Sequence, residues 1–178
     1  MEFLAPANTV KSVVLNEQLT VLNAPYTLAS QTATQKLFNA TANGAITVLA
    51  ATTYFFESYF DLSALSSTSG SFGFALGGTA TLTSQKWDSV GAKVATLTTA
   101  IAPQNTANNV GANIAIVTAS TAVNGWAKVK GIIRVNAGGT IIPQISLGIA
   151  SPVVVGINSY FRIVPIGVAT ITNIGAWS

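Results

Sequence analysis

Residues 52–62 read Thr-Thr-Tyr-Phe-Phe-Glu-Ser-Tyr-Phe-Asp-Leu, an unbroken run dominated by aromatic and β-branched side chains. In an extended chain successive side chains point to opposite faces. Tyr54, Phe56, Ser58, Phe60 and Leu62 then share one face, and Phe55, Glu57, Tyr59 and Asp61 share the other. The run therefore predicts a strand with one core face and one amphipathic face.

The same period of two recurs along the chain. Phe72, Phe74 and Leu76 fall on one side of a short strand, while Gly73 and Ala75 leave the other side nearly bare, as close approach by another backbone requires. Over 126–135, Ala127, Val129, Gly131, Ile133 and Val135 oppose Trp126, Lys128, Lys130, Ile132 and Arg134. A second run, Thr140 to Leu147, follows across Asn136-Ala-Gly-Gly139, which predicts a hairpin whose turn draws on the freedom of Gly138 and Gly139 to take positive φ. Ser159 to Ile166 predicts a last strand that ends or lies at an edge at Pro165, which has no amide hydrogen to give to a ladder. No segment shows a capped 3.6-residue period, so the expectation is an all-β antiparallel sandwich or barrel.

A length of 178 residues fits one domain, with 26–178 as the β-sandwich and 1–25 as an N-terminal arm or extra strand. Charged residues make up only 7% of the chain, against about 25% in an average soluble protein. Thr, Ser, Asn, Gln and Gly fill the polar positions, a composition suited to surfaces that pack against copies of themselves. Mean hydropathy is positive, yet the most apolar stretch, 141–157, is broken by Pro143, Gln144, Ser146, Gly148, Ser151, Pro152 and Gly156. That falls short of the roughly 18 uninterrupted apolar residues of a membrane helix, and no membrane insertion is expected. An outer-membrane barrel is the alternative, although the aromatics do not recur as girdles at strand ends. The start of the chain lacks a basic region followed by an apolar core, so synthesis and assembly in the cytosol are expected.

Cys and His are both absent. That removes disulfides, thiol nucleophiles and the commonest zinc and general-base ligands together. The net charge of +3 comes from 8 basic and 5 acidic residues spread thinly, so nucleic acid is not an expected partner. Glu57 and Asp61 share a face about 13 Å apart at about 3.3 Å per residue, too far for a glycosidase pair on a straight strand. They are expected to face water or to pair with Lys128, Lys130 or Arg134. Those three basic residues share parity and form a basic stripe if their strand is exposed. Asp88 is a lone carboxylate where a hard cation would want several oxygens. The glycines at 70–79 precede no phosphate-loop lysine. The expectation is thus no catalytic residue, no cofactor and no metal. A loop at 104–113, with Gln104, Asn105, Asn108, Asn109 and Asn113, is the candidate recognition surface.

The order of these segments resembles a group of small bacteriophage and prophage virion surface proteins. The likeness rests on Tyr26–Phe38, the aromatic strand at 53–62, Ser71–Thr79, Val129–Gln144, Asn158–Ile166 and the ending Gly175-Ala-Trp-Ser178. It implies a virion structural protein of tail-fibre or spike type, made in the host cytoplasm, with residues 1–25 as attachment and host surface glycan or neighbouring virion proteins as partners. A capsid decoration or head-fibre protein is the alternative, and a glycan depolymerase fragment the alternative of another class. The arrangement also looks like jelly-roll domains of the tumour necrosis factor and complement type. That likeness implies a homotrimer, with Phe55, Tyr59, Phe72, Phe74, Tyr160 and Phe161 as interface candidates and core packing as the competing role for these side chains.

Overall fold

The computed structural model of the chain describes residues 17–38, 45–98, 100–108 and 114–168. Among them every regular element is a strand. Two antiparallel sheets result. The larger carries β1 (Gln18–Val21), β2 (Tyr26–Thr27), β5 (Thr52–Ser63), β7 (Thr81–Val94), β8 (Gln104–Asn108), β10 (Asn124–Ala137), β12 (Val154–Val155) and β13 (Tyr160–Val168). Its main order is β1-β13-β5-β10-β7-β8, and β12 takes over the pairing with β5 where β13 leaves off. The smaller sheet runs β3 (Gln35–Lys36), β11 (Gly139–Leu147), β6 (Gly70–Gly77), β9 (Ile114–Ser120), with β4 (Ile46–Val48) also on β11.

The inner faces meet through the residues that period-two reading placed together. Tyr54, Phe56, Ser58, Phe60 and Leu62 of β5 are all buried, as are Ala127, Val129, Ile133 and Val135 of β10. Phe74 of the smaller sheet lies between Phe56, Phe60 and Trp87 of the larger, at ring centroid distances of 6.4, 6.3 and 5.5 Å. Phe161 stacks on Phe56 at 5.7 Å. Lys93, only 5% exposed, crosses between the sheets: its Nζ donates to the carbonyls of Gly70 at 2.8 Å and Ser120 at 2.5 Å.

Two expectations are corrected and a third is narrowed. The strands β10 and β11 do not form a hairpin, because β10 pairs with β5 and β7 while β11 pairs with β3, β4 and β6. Each strand buries one apolar face and needs partners in its own layer, so the connection crosses the sandwich instead of folding β11 back on β10. Gly138 permits that crossing, since a Cβ there would lie 3.0 Å from the Val48 carbonyl oxygen and the Ala50 amide nitrogen. The first half of the predicted 104–113 loop is strand β8, paired with β7 from Gln104 opposite Gly91 to Asn108 opposite Trp87. Finally, Pro165 does lie at an edge among the described residues, since β1 pairs with β13 only as far as Ile163, but the strand does not end there: after a register shift β13 continues to Val168 on β5.

Residues 18–21 and 26–27 are strands of the larger sheet. The segment before Glu17, residues Asn109 and Asn113, and the ending 175–178 lie outside the described residues. No helix among the described residues is long and apolar enough to cross a membrane.

Candidate functional site

The outer face of the larger sheet can be read row by row from its register. One row holds Val21, Tyr160, Tyr59, Lys128 and Val90. The next holds Leu19, Arg162, Glu57, Lys130 and Asp88, and a third holds Val164, Phe55, Ile132 and Lys86. Leu19 and Val21 of β1, Tyr59 of β5 and Ile132 of β10 are 56%, 46%, 36% and 44% exposed, so large apolar side chains stand in water on three strands of this sheet. Scattered single apolar residues are ordinary on a surface; adjacent ones in register form a patch.

A ladder of charges runs through the middle row. Arg162 Nε donates to Glu17 Oε1 at 2.5 Å and its Nη1 to Glu57 Oε1 at 3.4 Å, while Lys130 Nζ lies 4.0 Å from Asp88. The two carboxylates hold the guanidinium charged, with the hydrogen bond to Glu17 the largest cause of its raised pKa. Glu57 therefore pairs with β13, not with the β10 cations expected from the sequence. Asp61 takes the Ser159 hydroxyl at 3.4 Å. Partial burial raises the pKa of Tyr59, with Asp61 adding to it, and burial followed by Glu57 raises that of Tyr160.

Toward β7 the face opens into a groove of about 840 Å³ lined by Phe55, Lys86, Asp88, Lys130, Ile132 and Arg134. Lys128, Lys130 and Arg134 share the outer face of β10, and Lys86 of β7 stands opposite Ile132 in the same face. Sequence reading missed Lys86 because its place beside Ile132 depends on the pairing of strands distant along the chain. Among the described residues no three His, Cys, Asp or Glu side chains gather into a possible metal site.

The six interface candidates divide into two sets. Phe55, Tyr59 and Tyr160 are on the outer face, but Phe72, Phe74 and Phe161 have no exposed surface and form the core between the sheets. Parity separates the two sets on β13: Phe161 follows Tyr160 directly and so points to the opposite face, the core role given as its alternative. On β8, the Gln104 amide clasps the edge of the other sheet, donating to the Thr118 hydroxyl at 2.6 Å and accepting from the Thr118 backbone amide. Asn105 lies on the outer side of β8, opposite Val90, and Asn108 ends the strand. A scan of the chain against protein-family models gives no match, and a search of curated proteins gives none either.

Proposed function

We propose that this chain is a non-enzymatic structural subunit of a bacteriophage virion surface, a fibre- or spike-type jelly-roll sandwich that acts as a homotrimer in assembly and host-surface attachment. The observation that carries the reading is the set of large apolar side chains exposed on the outer face of the larger sheet, Leu19 and Val21 of β1, Tyr59 of β5 and Ile132 of β10. Burial of such a face between subunits stabilises an assembly by about 25 cal/mol per Å² before the costs of association. The path of the chain supports the jelly-roll description, since β5 to β6, β9 to β10 and β10 to β11 each cross from one sheet to the other. The phage assignment rests on the order of sequence segments set out above.

Antibody labelling of intact phage particles in the electron microscope tests the proposal. Label at the tail or a projecting fibre is the expected result. Label spread over the head would favour the capsid decoration reading, and particles without label would contradict both.

A further inference from the structure

The charges on the outer face are segregated along the line between β5 and β10. On the side of β1, β13 and β5 stand three carboxylates, Glu17, Glu57 and Asp61, against the single guanidinium of Arg162. On the side of β10 and β7 stand Lys86, Lys128, Lys130 and Arg134 against the single carboxylate of Asp88. Of all charged residues described, only Lys36 and Lys93 lie elsewhere. A chain with so little charge has placed nearly all of it on one face and sorted it by sign.

Each half has the chemistry the other lacks. Lys86, Lys128 and Arg134 have no carboxylate within ion-pair distance among the described residues. Lys86 and Arg134 line the groove together with Lys130 and the apolar side chains of Phe55 and Ile132. The acidic half presents the stacked rings of Tyr59 and Tyr160, whose phenols are raised by partial burial and, after it, by the charges of Asp61 and Glu57. Aromatic rings flanked by carboxylates receive Lys and Arg side chains by cation–π and charge-assisted contacts.

We propose that the occupant of the basic groove is the acidic, tyrosine-bearing half of a second copy of this chain. Subunits then meet unlike half to unlike half, and packing of identical halves is disfavoured by like charge. Each copy carries both surfaces, so the contact passes from copy to copy and is compatible with closure into a ring. The inference rests on the oligomeric reading above and adds which surfaces meet.

Charge reversal tests it on the full chain. One variant carries Lys86→Glu and Arg134→Glu, the other Glu57→Lys and Asp61→Lys, and circular dichroism with thermal unfolding checks that each folds. Sedimentation equilibrium is expected to show self-association weakened more than about tenfold in each variant, and the two variants mixed to associate with each other more strongly than either does with itself, because two of the three contacts in a mixed ring are then complementary. Raised salt should weaken the wild-type assembly. Should a reversed variant fail to fold, Lys86→Gln with Arg134→Gln takes its place, with the same expected loss. An oligomer unaffected by salt and by either set of changes would overturn the inference while leaving the oligomeric reading intact. A monomeric wild type would overturn both. Tight binding of dextran sulfate to the wild-type oligomer, lost with Lys86→Glu and Arg134→Glu, would also overturn it, because the groove would then be open in the assembly.

Discussion

The rings of Tyr59 on β5 and Tyr160 on β13 stand opposite one another in register and stack with centroids 6.5 Å apart. Both belong to the outer face, so the pair adds little to the core and most to whatever covers that face. Replacing Tyr59 with Ser is expected to change unfolding of the isolated subunit by less than about 1.5 kcal/mol, the upper end for an aromatic pair. Self-association should fall far more steeply. Urea unfolding and sedimentation on the same variant separate the two, and an oligomer of unchanged affinity would remove Tyr59 from the interface.

Phe74 presents the opposite case. It is fully buried and touches Phe56, Phe60 and Trp87, which belong to the other sheet. Phe74→Ala should destabilise the fold by about 3–5 kcal/mol. Phe55→Ala, one residue away from Phe56 but on the outer face, should cost much less. Equal losses in denaturant titrations of the two variants would contradict the assignment of faces.

Lys93 gives the fold a distinct pH dependence. Burial lowers its pKa from the ordinary lysine value. Between that lowered pKa and about 10.4 the unfolded chain binds more protons than the folded one, so stability contributed at this site rises with pH across the window. Below it, the folded protein carries the full cost of a buried ammonium held by two carbonyls. Tyr59 and Tyr160 act in the other direction: their raised folded pKa values preserve stability below about 10 and lose it as pH climbs through the folded values. In Lys93→Met the tyrosine contribution persists and the lysine contribution vanishes. Unfolding free energies measured from neutral to alkaline pH should therefore rise for wild type relative to the variant, and parallel curves would contradict the account.

The absence of catalysis in the proposed function is also open to measurement. Incubation with polysaccharide from the bacterial host should leave the polymer intact. Release of oligosaccharides that disappears with Glu57→Gln would make the chain a depolymerase.

The strands were legible because their cores repeat every second residue: 52–62 alone placed Phe56 and Phe60 inward and Tyr59 and Asp61 outward, as found. Local pattern could not decide pairing between strands. A glycine-rich connection between two alternating runs looks the same whether it closes a hairpin or crosses the sandwich, which is why β10 and β11 were expected side by side. Polar composition hid β8, since Gln104 to Asn108 earns its place by ladder bonds to β7 and the Gln104–Thr118 clasp instead of by apolar burial. The stripe of Lys128, Lys130 and Arg134 followed from parity within one strand. Lys86 and Arg162, whose roles depend on neighbouring strands, did not.

The native mass of the purified full chain tests the central claim most directly. With a subunit of 18.2 kDa, the account predicts a discrete species of three subunits at low salt. A single species at the subunit mass, over the concentrations at which the particle assembles, would contradict it.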